Sequence, residues 1–308
     1  MFGPDLLPFT VAELEREGRV RVRGHRLYYR RFGTGRGTPV LVLHGGPGLT
    51  CDYLTPLADL VAGGYDVVLY DQLGCGGSER PVQYRDYTIA ANADDVDELR
   101  RRMGLGRVHL FGHSYGGALA VETALRHPRA LRSLVVSSGF SSMDTLWKGL
   151  RGRVAQLSPK SRRALIREDQ TGRETHASAS GWAEFRRRFS HHLVNTPFEV
   201  QRTYGRMNGR IFRAMGFDAR YHLRDGYRRG TMAGWDVSDR LSRIHVPTLV
   251  TVGEFDHVVP ACAREIHRGI PGSRLVVARG QGHLPFFEDR DGYTSLLRQF
   301  LDGTPRAR

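Results

Sequence analysis

Short apolar runs recur along the chain, separated by polar stretches with helical spacing, and this alternation sets the expected fold. Pro39 to Leu43, Tyr65 to Tyr70, Val108 to Phe111, Leu134 to Val136, Thr248 to Val252 and Leu275 to Val277 have the pattern of strands buried on both faces. Between most of them lie segments with apolar residues three and four positions apart, which predict helices over Tyr53 to Ala62, Ile89 to Met103, Gly116 to His127, Ala261 to Ile270 and Tyr293 to Leu301. Pro128 and Pro271 stop two of these. Strand and helix alternating in this way predict an α/β fold built on a mostly parallel, doubly wound sheet. Upstream, Val20 to Phe32 alternates loosely around Gly24 and predicts an antiparallel pair at one sheet edge. The rhythm fails once, between about Phe140 and Gly234, where Arg-rich, Gly-interrupted helical stretches such as Trp182 to His192 take over. An inserted helical cap at 140–234 is therefore expected, dividing a core made of 1–139 and 235–308. Its aromatics, Trp147, Trp182, Phe185, Phe189 and Tyr204, are expected mainly to make helix–helix contacts.

In a parallel sheet, functional groups gather where strands end and loops lead into helices. After the strand ending at Phe111 comes Gly112-His113-Ser114-Tyr115-Gly116-Gly117, a G-x-S-x-G turn between a buried strand and a helix of small residues. Such a turn strains the serine backbone, pushes its hydroxyl into the crevice, and leaves the Tyr115 amide free to meet a developing oxyanion. After Val40 to Leu43 comes His44-Gly45-Gly46-Pro47-Gly48, placed to supply a second oxyanion-hole amide from Gly46, with His44 a candidate substrate contact. Phosphate cradling by this loop is disfavoured, because no Gly-Lys-Ser/Thr follows.

A serine hydroxyl needs a histidine to take its proton and a carboxylate to hold that histidine. Asp256 lies just beyond one strand, in Gly253-Glu254-Phe255-Asp256, and His283 just beyond another, in Gly280-Gln281-Gly282-His283. Ser114 is thus the expected nucleophile, His283 the base and Asp256 the orienting acid. Glu254 is the rival acid. Among the other histidines only His44, His109 and His113 sit near strand ends, and His113 is expected to point away from the nucleophile. The glycine-rich stretch Asp71 to Ser78 is expected to be scaffold, and Cys75 within it has no elbow to present it.

Composition narrows the alternatives. With 40% hydrophobic and 25% charged residues and no apolar run near the ~20 residues of a membrane span, the chain reads as soluble and globular. Met1 to Arg19 lacks a basic-then-apolar signal pattern, so a cytoplasmic location is expected. Cys51, Cys75 and Cys262 are widely spaced, odd in number and expected to be free thiols. The net charge of +14 and pI near 10.3 invite a polyanionic partner. Lys148 and Lys160 are the only lysines, however, and no nucleic-acid-binding motif is present, so nucleic-acid binding is disfavoured. No cofactor or metal is expected. The expected partner is a small-molecule or short-peptide substrate, and nothing in the sequence indicates oligomeric state.

Taken together, His44-Gly45-Gly46-Pro47-Gly48, Asp71-Gln72-x-Gly74-x-Gly76-x-Ser78, Gly112-x-Ser114-x-Gly116-Gly117 and Gly253-Glu254-x-Asp256 resemble the proline iminopeptidases, especially the tricorn-interacting type, of the α/β-hydrolase superfamily. Gly230 to Asp236 and His283 to Tyr293 extend the resemblance over most of the chain. It implies removal of an N-terminal residue, often proline, from a short peptide or amide, with acidic side chains holding the free amino group. By alignment those acids fall on Asp225 and His257, which are candidate substrate contacts. An imidazole in place of a carboxylate implies an altered substrate, such as a modified small molecule or natural-product intermediate. Ester or lactone hydrolysis, acyl transfer to an internal nucleophile and a non-catalytic binding role are the alternatives. A serine at the elbow disfavours an aspartate-nucleophile dehalogenase or epoxide hydrolase.

Overall fold

The apolar runs assemble into one eight-stranded sheet. The computed structural model describes residues 14–80, 87–217 and 230–304, with side chains described from residue 16 onward. In chain order the strands are β1 (Leu14–Val22), β2 (His25–Phe32), β3 (Thr38–Leu43), β4 (Tyr65–Tyr70), β5 (Val108–His113), β6 (Leu131–Ser137), β7 (Thr248–Gly253) and β8 (Arg274–Ala278). Their spatial order is β1-β2-β4-β3-β5-β6-β7-β8. The β1–β2 and β2–β4 pairs are antiparallel and all other pairs are parallel. The expected edge hairpin is present, turning at Arg23 and Gly24, and its first strand reaches back beyond Val20 to Leu14.

Every residue of β4, β5 and β7 is buried, which accounts for their continuous apolar character, whereas β8 at the far edge is only partly covered. The helices packed on the sheet are α1 (Ile89–Arg102), α2 (Tyr115–Arg126), α8 (Pro260–Gly269), α9 (Pro285–Glu288) and α10 (Arg290–Asp302). Thr88 caps α1 by accepting the Ala91 amide, and Pro260 opens α8 where no intrahelical donor is needed. The segment Cys51–Gly63 forms a 3-10 helix instead of the expected α-helix, with Pro56 inside it removing a donor.

Between β6 and β7 run α3 (Met143–Ala155), α4 (Pro159–Thr171), α5 (His176–Phe189), α6 (Phe198–Gly205) and α7 (Gly209–Ala214). The chain leaves and rejoins the sheet layer side by side. Ser142 bridges Asp236, the Met143 amide bonds the Trp235 carbonyl at 3.1 Å, and the Val237 amide bonds the Ser141 carbonyl at 2.9 Å. Within this segment α3, α4 and α5 share a small core of Val154, Leu157, Leu165, Phe185 and Phe189. Thr175 and Ser178 form a reciprocal capping box at the start of α5.

The crossing from β5 into α2 leaves room for backbone alone. A Cβ at Gly112 would overlap the Gly116 carbonyl, and a Cβ at Gly116 would overlap the Leu43 carbonyl. Neither obstacle is a flexible side-chain end, so the strain cannot be relieved by a rotamer change. Gly116→Ala is expected to cost roughly 3 kcal/mol or more in urea unfolding; a loss below about 1 kcal/mol would show that the turn can relax.

Candidate active site

Ser114 stands at the turn between β5 and α2 with φ 59° and ψ −123°, a left-handed backbone conformation rare outside glycine. The turn is held from both sides. The Ser114 amide donates to the Ser137 carbonyl at 2.9 Å, and the Ser114 carbonyl accepts from the Gly117 amide at 2.8 Å. Tyr115 opens α2, so its amide is among the first donors of the helix, which have no intrahelical acceptor. The His44–Gly48 loop lies directly alongside: a Cβ on Gly45 would come within 2.9 Å of the Ser114 Cβ. Gly46, at φ 118°, lines the same cavity as Ser114.

The structure brings Asp256 and His283 together. His283 Nδ1 donates to Asp256 Oδ1 at 2.7 Å, which leaves Nε2 of a neutral ring with a lone pair. Asp256 is fully buried and Oδ1 also accepts the Val258 amide at 2.8 Å. Its other oxygen, Oδ2, is buried with no hydrogen bond of good geometry, and the similarly unpaired Ser138 hydroxyl is its neighbour. Burial disfavours charge on both members of the pair, pushing the Asp256 carboxyl up and the His283 imidazole down to about 3. The resting imidazole is therefore neutral, the form that can take a proton. Glu254 is exposed and turned away, accepting the Gly280 amide at 3.0 Å. Cys51, Cys75 and Cys262 are free and buried.

Two groups connect these parts: Tyr53, which no sequence pattern singled out, and His113. The Gly45 amide donates to the Tyr53 hydroxyl at 2.7 Å, and Tyr53 bonds His113 Nδ1 at 2.8 Å. His113 Nε2 bonds the His283 backbone carbonyl at 2.8 Å. A carbonyl only accepts, so Nε2 carries the proton, Nδ1 is an acceptor and the Tyr53 hydroxyl points its hydrogen at it. One directed chain thus runs from the His44–Gly48 loop to the loop that carries His283. His113, expected to point away from the nucleophile, has its ring centroid 4.5 Å from that of His283, tilted by 52°, and lines the cavity. His113 sat inside a recognised motif, whereas nothing in the pattern around Tyr53 marked it.

The candidate substrate contacts fare differently. His44 does not reach the cavity. Its ring is fully buried, Nδ1 donates to the Gly45 carbonyl at 2.9 Å, and Nε2 accepts the Gln72 amide at 3.0 Å, so both nitrogens are spent on holding the loop. His257 does line the cavity, with its ring 4.0 Å from that of His283 and Nδ1 donating to the Phe189 carbonyl at 3.1 Å. Burial, then the neighbouring His283, pushes His257 down to about 4, so it presents a neutral Nε2 acceptor. Asp225 lies outside the described residues. Asp256, His257 and His283 place ligand atoms within 4.8 Å of one another, a donor set of the kind transition ions accept. An ion bound through Asp256 Oδ1 and His283 Nδ1 would have to displace the hydrogen bond between them.

These groups open into a cavity of about 980 Å³ with mostly apolar walls. Leu146 and Trp147 of α3, Trp182 and Phe185 of α5, and Tyr204 of α6 contribute to it. Four of the five aromatics expected mainly to join helices therefore face the cavity. Phe189 does not, and is covered instead by the Arg153 and Arg188 guanidiniums, 4.8 and 5.1 Å from its centroid. Arg153 also donates to the backbone carbonyls of Asp256 at 2.9 Å and Glu254 at 2.7 Å, tying α3 to the loop of the acid.

A family model described as alpha/beta hydrolase fold matches residues 38–290. A proline iminopeptidase of Saccharolobus solfataricus is 37% identical over 295 residues, 93% of this chain and 92% of its own length. The chain belongs to the proline iminopeptidase family of α/β hydrolases. Among solved structures, proline iminopeptidase of Mycobacterium smegmatis superposes with a TM-score of 0.85 at 29% identity, covering 93% of this chain and 98% of that one. VinJ superposes with a TM-score of 0.88, also at 29% identity, covering 95% and 100%. This member of the family is an enzyme. No helix among its described residues is long and apolar enough to cross a membrane.

Two outcomes are expected. Tyr53→Phe removes the acceptor of the Gly45 amide and the donor to His113, and should lower stability to urea by about 2 kcal/mol. His113, His257 and His283 all have folded values below the ~6.5 of an unfolded histidine, so the unfolded chain binds protons that the folded chain refuses as pH drops below that value. Stability should be full above about pH 6.5 and fall by roughly 3 kcal/mol by pH 5, with the raised Asp256 offsetting part of the loss. Urea melts at the two pH values measure this, and a flat profile would contradict it.

Proposed function

We propose that this enzyme is a serine hydrolase that removes an N-terminal aminoacyl group, proline or a small residue, from a short peptide or small-molecule amide through an acyl-enzyme. The observation that carries this is the neutral His283, bonded to buried Asp256 and sharing one cavity with Ser114 on its strained turn. In the proposed mechanism His283 Nε2 takes the Ser114 proton as Oγ attacks the carbonyl. Asp256 stabilises the imidazolium that forms, which lifts the burial penalty on both groups at once. The Tyr115 and Gly46 amides meet the tetrahedral oxyanion, and the Gly45–Tyr53–His113 chain keeps their two loops in register. Collapse of the intermediate expels the amine, which receives the proton from His283, and water then releases the acyl group by the same steps. Residues 140–234 act as the cap, supplying the apolar wall from α3, α5 and α6.

A second reading, hydrolysis of an ester or lactone, is favoured by one observation. Among its described residues the cavity lining contains no Asp or Glu to hold an ammonium group. The two separate on paired prolyl and alanyl arylamides, with free or acetylated amino groups, run beside aryl esters. Cleavage of the free arylamides, abolished by acetylation and reduced at least ~10³-fold in kcat by Ser114→Ala, is the expected result. Turnover of esters alone would overturn the aminoacyl reading. His257→Glu restores a carboxylate beside the base and should raise kcat/KM on free aminoacyl arylamides about tenfold; an unchanged rate would remove His257 from substrate recognition.

A further inference from the structure

We propose that the substrate's end remote from the scissile carbonyl carries a carboxylate, held by Arg186 and Arg187 at the mouth of the cavity. The inference rests on the serine-hydrolase reading of this same cavity. For a short peptide that group is the C-terminus, so the arginines would select peptides long enough to reach them.

The first support is the charge of the lining. Among the described lining residues, Arg186 and Arg187 are the only charged side chains, since burial keeps His113, His191, His257 and His283 neutral. Each guanidinium offers a planar fork of donors suited to a carboxylate. Elsewhere in the protein arginines of the sheet-packing helices find acids: Arg100 pairs with Asp97 at 2.8 Å, Arg102 with Glu98 at 2.6 Å and Arg290 with Asp59 at 2.6 Å. No acid among the described residues pairs with Arg186 or Arg187.

The second support is position. Both arginines are exposed on the last turns of α5, one or two residues beyond Phe185, whose ring forms part of the apolar wall. Burial pushes the Tyr204 hydroxyl of α6 up, and the Arg186 guanidinium is near enough to oppose part of that rise, so Arg186 and Tyr204 share one end of the cavity. An occupant with a carboxylate there keeps its charge at the wet rim while its apolar body displaces water from the walls.

The third support is size. A cavity of about 980 Å³ is at the top of the range for drug-sized ligands and much larger than a prolyl or alanyl group needs. Most of the volume must therefore accept the rest of the molecule, and that part meets apolar side chains first and guanidiniums last.

Binding to Ser114→Ala, which does not turn over, tests the proposal by calorimetry with prolyl-leucyl-leucine as its free acid and as its C-terminal amide. The acid is expected to bind about tenfold tighter than the amide. Adding Arg186→Gln and Arg187→Gln should weaken the acid to the level of the amide and leave the amide unchanged. Arg163→Gln on α4, exposed and outside the cavity, removes charge without touching the mouth and should preserve the preference. Equal binding of acid and amide, no binding of either, or a preference that survives the double Gln variant would overturn the inference. So would its loss in Arg163→Gln, which would assign the effect to net charge. If the binding preference stands while wild type cleaves neither peptide, the aminoacyl reading fails alone. If wild type cleaves both but Ser114→Ala binds them equally, the carboxylate inference fails alone.

Discussion

The site depends on how closely backbone can approach backbone at the carboxyl ends of β3 and β5. Gly116 packs against the Leu43 carbonyl and Gly112 against the Gly116 carbonyl, with no space for a Cβ at either. That contact brings the start of α2 beside the loop after β3, so Gly45 touches Ser114 and the amides of Gly46 and Tyr115 come from adjoining strands. The strain at Ser114 is sustained because its amide and carbonyl are both bonded to neighbouring backbone. Everything downstream, including the meeting of Asp256 and His283 from β7 and β8, is arranged around a hydroxyl fixed in this way.

Hydrogen-bond direction then does what sequence separation cannot. Tyr53, His113 and His283 are far apart in the chain, yet each bond between them permits only one proton arrangement because the chain ends on a carbonyl. His44 is fixed just as firmly between Gly45 and Gln72. Buried imidazoles here serve as neutral connectors with one donor and one acceptor, and burial keeps them so.

Much of this was legible beforehand, and for physical reasons. Strands buried on both faces leave continuous apolar runs, so β3 to β7 could be placed to within a few residues, and the elbow glycines mark a turn that other residues cannot make. Asp256 was distinguishable from Glu254 only as the more plausible acid; it is the buried one of the two and the one bonded to His283, while Glu254 is exposed. What was not legible depended on three-dimensional neighbours. Tyr53 has no local signature, the 3-10 form of Cys51–Gly63 keeps the same apolar spacing as an α-helix, and His44 looked like a substrate contact because its motif lies beside the site. The aromatics of α3, α5 and α6 carry helical spacing whether they face a neighbour or a cavity.

Arg153 ties the helices between β6 and β7 to the strand ends beneath them. Its guanidinium holds the carbonyls of Glu254 and Asp256 while its plane lies over Phe189, so α3, α5 and the turn bearing the acid form a single clamp. On the opposite side, Thr203 of α6 bonds Thr50, and the Asn208 amide bonds the Gly48 carbonyl beside the oxyanion loop. These helices are thus riveted to the loop around Asp256 and to the loop after β3. Swinging them aside breaks the same bonds that keep those loops in place, so the cavity's entrance and the proposed catalytic groups cannot be altered independently, and a change in what enters is also a change in how those groups are held.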